Sequence, residues 1–230
     1  MDIIHTRNGL RLSQHGVVIS ELRTSPGPTH SVFDILAALL ALLAPDARIG
    51  VLGFAGGGMM APLRALKVES VLHAVDLDRA SYELFREHCP EWRRFVKWQQ
   101  ADALAWLRRQ PPDFGLLLED LSVPQDGTVF KPAISWSELP ELIRARLRPD
   151  GIGVFNLLRP TTGQWQPELN GILRLFGTAR IVELDDFENR ILIVGSQLPA
   201  ARELGRQLRG ALRRLHSRQA GRLRLRTPRR

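Results

Sequence analysis

The 230-residue sequence predicts an α/β domain built on one mostly parallel sheet that ends in an antiparallel hairpin. Three observations carry this prediction. Apolar runs of strand length alternate with amphipathic stretches of helix length between residues 49 and 176, as a sheet covered on both faces requires. The last two apolar runs are separated only by Asp185-Asp186-Phe187-Glu188-Asn189, too short a link for a parallel crossover. Glycines and acidic residues fall at the carboxyl ends of the runs, where an open α/β sheet gathers its ligands.

Residues 1–24 read as a small N-terminal β segment. Asn8-Gly9 lies between Ile3-Ile4 and Leu10 and is a strong hairpin signal. Val17-Val18-Ile19 forms a further run before the turn-rich linker Thr24-Ser25-Pro26-Gly27-Pro28. Ser31 is placed to cap a helix over 32–43, which Pro45 closes. Residues 25–197 form the main domain. Its strands are expected at 49–54, 71–76, 95–99, 114–119 and 151–158, and its helices at 59–66, 79–88, 103–109, 137–147 and near 167–176. The closing hairpin pairs 179–184 with 190–196. A seven-stranded sheet of this kind is the class I methyltransferase variant of the Rossmann-like fold.

Residues 198–230 form a basic tail. Eleven arginines face a single glutamate in the last thirty residues, so the tail alone exceeds the net charge of +8 and the rest is slightly acidic. Leu198, Leu204, Leu208, Leu212 and Leu215 have amphipathic-helix spacing. Beyond Ser217, Arg222-Leu223-Arg224-Leu225-Arg226 carries no Gly/Pro-bounded fold signal and is expected to be mobile. Such a tail suits weak contact with nucleic acid or another anionic surface, although no aromatic residue interleaves with its arginines to stack on bases.

Bulk properties exclude several classes. The longest apolar run, 35–44, is about half the length needed to cross a bilayer. The start of the chain lacks the basic and apolar regions of a secretory signal. The single cysteine, Cys89, excludes an internal disulfide and a cysteine metal cluster, and the six histidines lack ligand spacing. The expectation is a cytoplasmic protein with no transmembrane segment and no metal.

Four motifs carry the chemistry. Gly53-Phe54-Ala55-Gly56-Gly57-Gly58 leaves the first strand and opens a helix, allowing close backbone approach to a ligand and free N–H groups toward an anion; no Gly-Lys-Ser/Thr follows, so it is not a phosphate loop. Asp76-Leu77-Asp78 ends the second strand, and Asp76 is placed to accept ribose hydroxyls, while Asp78 suits a helix N-cap. Asp102-Ala103 follows the third strand, where Asp102 either accepts from an adenine amino group or caps a helix. Glu119-Asp120 ends the fourth, where a carboxylate can position or deprotonate an acceptor. Side chains alternate along a strand, so Glu119 and Asp120 should point to opposite sides. The cofactor-binding candidates are therefore Gly53, Ala55, Gly56, Gly57, Gly58, Asp76, Leu77, Asp102, Ala103 and Glu119, and the catalytic candidate is Asp120.

Taken in order, these motifs resemble the spermidine synthase family of aminopropyltransferases and their methyltransferase-like relatives, over roughly residues 24–196. The family's Gly-Gly-Gly-Asp-Gly reads here Gly56-Gly57-Gly58-Met59-Met60, and its Asp-Ser-Ser-Asp-Pro loop reads Asp120-Leu121-Ser122-Val123-Pro124. The resemblance implies an S-adenosylmethionine or decarboxylated S-adenosylmethionine cofactor, Asp120 as the base, and a homodimer. Met59 and Val123 replace two acids that help the family hold a cationic amine, so the polyamine counter-charges are missing. The expectation is methyl transfer to an unknown small-molecule acceptor that is not a polyamine. One alternative is aminopropyl transfer in polyamine synthesis, with an amine held by Glu119 or Asp126. Another is a non-catalytic nucleoside- or nucleic-acid-binding protein acting through the arginine tail. His30, Trp136 and Trp165 are candidates near the acceptor, while Trp92 and Trp98 read as packing residues. Leu36, Leu39, Leu40 and Leu43 form a helix face for the sheet or a dimer.

Overall fold

The computed structural model describes residues 2–44, 47–125, 127–160 and 163–229. Pro45, the expected helix stop, and Asp126, the candidate amine holder, lie outside the described residues. Strands β1 (Asp2–Thr6), β2 (Gly9–Gln14) and β3 (Val17–Arg23) form a separate antiparallel sheet. Its first turn is Arg7-Asn8, because Thr6 pairs with Gly9. Gly9 has a φ of 146°, and a Cβ there would lie 2.0 Å from the Leu22 carbonyl oxygen, so no other residue fits.

The linker leads into α1 (Val32–Leu43), capped by Ser31, which accepts from the Phe33 N–H. The alternating pattern follows as expected, through β4 (Ile49–Leu52), α2 (Met60–Ala65), β5 (Leu72–Asp76), α3 (Arg79–His88), β6 (Val96–Gln100), α4 (Ala103–Arg108) and β7 (Phe114–Glu119). A two-stranded hairpin, β8 (Val123–Gln125) and β9 (Thr128–Phe130), is then inserted before α5 (Glu138–Arg146), β10 (Leu147–Leu157), α6 (Trp165–Leu173), β11 (Thr178–Leu184) and β12 (Arg190–Gly195). Strand β10 begins before the expected residue 151, but it pairs with β7 only at Leu147 before its register shifts at Ile152.

The main sheet runs β13-β11-β12-β10-β7-β4-β5-β6, with β13 (Leu223–Arg226) at one edge. The five strands from β10 to β6 are mutually parallel, and β12, β11 and β13 join antiparallel. Among the described residues the sheet therefore has eight strands rather than the expected seven. The segment after Ser217 is ordered rather than mobile: Leu223 and Leu225 alternate with arginines, a period-two pattern that β11 receives as an edge strand. Before it, α7 (Ala201–Arg214) packs on α1.

Strand alternation divides the interior into two cores. Val51, Leu116, Leu118, Val154, Ile191 and Ile193 face the side covered by α1 and α7. Leu52, Leu117, Phe155, Leu157, Leu192 and Val194 face α4, α5 and α6. In α1, Leu36, Leu39 and Leu40 are fully buried, each worth about 1.5–3 kcal/mol over exposure. That face belongs to this core, with α7 packed on the same helix. Trp92 is buried and Trp98 stacks on Tyr82 at 4.2 Å, as packing residues do. Among the described residues, no helix is long and apolar enough to cross a membrane.

Candidate active site

A cavity of about 560 Å³ opens where the carboxyl ends of β4, β5, β7 and β10 meet the inner face of β2 and β3. Gly53, Ala55, Gly58, Asp76 and Asp120 line it, as does Met59. The parallel strands deliver these residues together because each element turns out of the sheet at the same end.

Asp76 fixes the loop after β4. Its Oδ2 accepts from the Phe54 and Ala55 N–H groups, both at 2.7 Å, and its Oδ1 accepts from the Asp78 N–H at 2.9 Å. An ionised carboxylate has about four acceptor positions, so one remains on Oδ1. The clamp also holds Ala55 at a φ of 44°, a conformation unusual for a residue with a Cβ. Gly53 is required for another reason. With a φ of 88°, a Cβ there would meet the Asp120 carbonyl oxygen at 2.6 Å.

The other glycines serve packing more than ligand approach. A Cβ on Gly56 would meet Leu12 at 2.6 Å, and one on Gly58 would meet the Phe33 ring at 2.7 Å. Gly57 adopts a φ of 71°. The triple glycine thus lets the N-terminal sheet and α1 close over the loop, and Gly56 and Gly57 lie outside the cavity lining.

Asp120 begins the loop after β7. Its Oδ1 accepts from Asn156 Nδ2 at 2.7 Å, and Asn156 Oδ1 accepts from Asn189 Nδ2 at 2.9 Å. Because Asn189 occupies the oxygen of Asn156, the amide of Asn156 must present its nitrogen to Asp120. Burial pushes the Asp120 carboxyl up to about 7, opposed chiefly by Lys131 and the Asn156 bond, with Glu119 and Asp76 adding to the rise. A carboxyl poised there suits proton transfer at neutral pH.

Glu119 turns the opposite way, as strand alternation requires, and is corrected from a cofactor ligand to a structural group. It is fully buried, pairs with Lys131 at 2.8 Å, and accepts from Ser135 Oγ and the Leu121 N–H. Burial raises its pKa against the pull of Lys131. Lys131 Nζ also donates to the Leu121 carbonyl at 2.6 Å, so the pair pins the loop that carries Asp120. Glu119 therefore cannot hold an acceptor amine.

Other expected residues are placed elsewhere. Asp102 is an exposed N-cap, accepting from the Ala105 N–H at 2.9 Å, and Ala103 is buried as the first residue of α4; neither lines the cavity. Leu77 stands 68% exposed beside Asp76 and also lies outside the lining. Asp78 caps α3, as expected, and also reaches the cavity wall. Val123 is exposed on the β8–β9 hairpin and lies outside the cavity lining. His30 accepts from the Arg218 N–H, and Trp136 packs edge-on against Trp165 under Arg190; none of the three lines the cavity.

Sequence reasoning missed Asn156 and Asn189, which have no motif around them. A polar residue in the otherwise apolar run 151–158 was the available signal for Asn156. It also missed the wall formed by the N-terminal sheet, where Arg11 pairs with Glu21 at 2.8 Å facing the cavity. Phe33, Val129 and Phe187 complete an apolar side.

Polyamine aminopropyltransferase 2 of Pseudomonas aeruginosa is 34% identical to this chain over 131 residues, a match that covers 53% of the chain and 37% of that protein. The chain therefore matches little more than a third of that relative's length. No protein-family model matches it. A probable spermidine synthase from Corynebacterium glutamicum superposes with a TM-score of 0.74 at 19% identity, covering 98% of this chain and 86% of the other. Human methyltransferase-like protein 13, in complex with SAH, gives 0.60 at 20% identity over 80% and 90% of the two chains. The fold is thus spermidine synthase-like, of the class I methyltransferase type.

Proposed function

We propose that this chain is an S-adenosylmethionine-dependent transferase that moves a methyl group to a small acceptor other than a polyamine, with Asp120 as the base. The observation that carries this reading is that Asp76 and Asp120 reach one cavity from strand ends on either side of β4 while Met59 forms part of its wall.

The residues present fit such a cofactor. A cavity of about 560 Å³ lies within the usual range for small-molecule sites, about 300–1,000 Å³. The remaining acceptor position on Asp76 Oδ1 suits one ribose hydroxyl, fewer than the two hydroxyls expected from sequence. Leu77 offers an exposed apolar side chain near that carboxylate, suited to cover the face of a base. The cofactor, when bound, supplies a carbon activated by its sulfonium. Asp120 takes the proton from the attacking atom of the acceptor, and Asn156 holds that carboxylate in one orientation. Met59 is 2% exposed and gives an ammonium group no counter-charge, which disfavours a diamine acceptor.

The second reading is aminopropyl transfer. Glu21 favours it, because its carboxylate faces the cavity from the N-terminal sheet, although Arg11 already pairs with it. The relative named polyamine aminopropyltransferase 2 points the same way.

Calorimetry with S-adenosylmethionine, its decarboxylated form and methylthioadenosine separates the readings. Binding of the carboxylated form, weakened by Leu77→Asp and retained in Asp120→Asn, is the expected result. Preference for the decarboxylated form with turnover of putrescine would replace methyl transfer by the second reading. Failure to bind any of the three would overturn both.

A further inference from the structure

Helix α7 has two faces of opposite character. Leu204, Leu208, Ala211 and Leu212 are fully buried in the core that includes α1. Arg202, Arg206, Arg209 and Arg213 stand at i, i+4, i+7 and i+11, which places them in one stripe along the opposite side. Arg206 is engaged by Glu203 at 2.6 Å. Arg202, Arg209 and Arg213 have no carboxylate partner among the described residues. The acids closest to the tail are occupied elsewhere: Asp186, Asp185 and Glu183 hold Arg222, Arg224 and Arg226 around β13. Arg222 and Arg226 thus have close carboxylate partners, whereas Arg202, Arg209 and Arg213 of the helix have none among the described residues.

We propose that this stripe binds the phosphate backbone of double-stranded nucleic acid, independently of any cofactor in the cavity. At 1.5 Å rise per residue the stripe spans roughly 16 Å, with neighbouring arginines about 4.5–6 Å apart along the axis. That spacing lets each guanidinium meet a separate phosphate of a strand edge, where charges follow about every 3.4 Å of axis. Guanidinium groups pair with phosphate oxygens in a fixed fork geometry. A bilayer is a poorer partner, because an interfacial helix must sink an apolar face among the acyl chains, and the apolar face of α7 is packed in the protein core. Unpaired strands are poorer too, since the stripe carries no aromatic residue on which bases could stack. No base-reading side chain lies in the stripe, so binding is sequence-independent.

The test is fluorescence anisotropy of the full chain with a labelled duplex across a salt series, beside vesicles containing anionic phospholipid. Binding with a slope of log K against log salt of about −2.7 to −3.6 is expected from three to four phosphate contacts. Arg202→Gln/Arg206→Gln/Arg209→Gln/Arg213→Gln should lose at least tenfold in affinity at low salt, and the matching four lysine replacements should retain most of it. Unchanged circular dichroism in both variants separates charge from folding. Arg222→Gln/Arg224→Gln should bind as the parent does. Three results would each overturn the proposal: no salt-dependent duplex binding, equal binding by the glutamine variant, or binding to anionic vesicles without binding to duplex.

Discussion

Asn156 Nδ2 donates to Asp120 Oδ1 at 2.7 Å and cannot turn away, because Asn189 Nδ2 donates to its oxygen at 2.9 Å. The three residues come from the loop after β7, from β10 and from the turn before β12, so the turn of the antiparallel hairpin helps to orient a carboxylate delivered by the parallel part of the sheet. A donor aimed at a carboxylate favours the ionised form. Removing it in Asn156→Leu should raise the Asp120 pKa above about 7, by about one unit or more if the bond is worth 1.5–3 kcal/mol. Asn189→Ala should shift it less and in the same direction. Carbon-13 NMR titration of the Asp120 carboxyl reads both shifts without a known acceptor; a titration curve unmoved by either change would refute the relay.

The same carboxyl makes stability depend on pH. Its folded pKa of about 7 lies above the ordinary value of 3.8, so the folded state binds more protons between those limits. Stability then falls as pH rises from about 4 to 7, and stays at the lower level above that. Asp120→Asn removes the cost of ionising a half-buried carboxyl. The variant should melt higher than the parent at pH 8, with the difference closing toward pH 4, while losing 10²-fold or more in turnover. Thermal melts across that range decide it, and a constant difference would contradict the assignment.

Glu119 and Lys131 form a pair with almost no exposure. Breaking such a pair by removing one partner commonly costs about 3–5 kcal/mol, because the other charge is stranded. Lys131→Met should therefore destabilise strongly in urea denaturation. Glu119→Leu combined with Lys131→Met should cost much less than the two single changes added together. Strict additivity would show that the pair is not coupled.

Much of the molecule is legible in the sequence, and the exceptions have physical causes. Strand β7 and helix α3 fall at their expected residues, since periodicity and caps are local. Strand β13 was missed because four residues of alternating Leu and Arg read as strand only when β11 is available beside them. Asp102 was ambiguous because capping and ligand binding use the same residue type at the same strand end, and the structure shows the cap. The triple glycine looked like ligand approach, yet the groups that crowd Gly56 and Gly58 are Leu12 and Phe33, which no local pattern identifies. Asp76 and Asp120 were legible because strand ends converge in this topology. Asn156 and Asn189 were not, because their pairing exists only across the sheet.

Two glycines of the loop after β4 should respond very differently to the same methyl group. At Gly58 the added Cβ meets the Phe33 ring, a half-buried side chain at the cavity wall that has room to swing. Gly58→Ala should cost only about 1–3 kcal/mol, and its main effect should be on ligand affinity as Phe33 moves into the cavity. At Gly53 the φ of 88° excludes ordinary side chains, and the Cβ would strike the Asp120 carbonyl oxygen at 2.6 Å. That oxygen belongs to backbone tied down by the Asp120 N–H bond to the Leu52 carbonyl at 2.8 Å, so neither partner can give way. Gly53→Ala should consequently cost more than Gly58→Ala in chemical denaturation and should displace Asp120 as well. Equal costs would mean that the β4 and β7 loops approach less closely than the close packing of Gly53 against Asp120 requires.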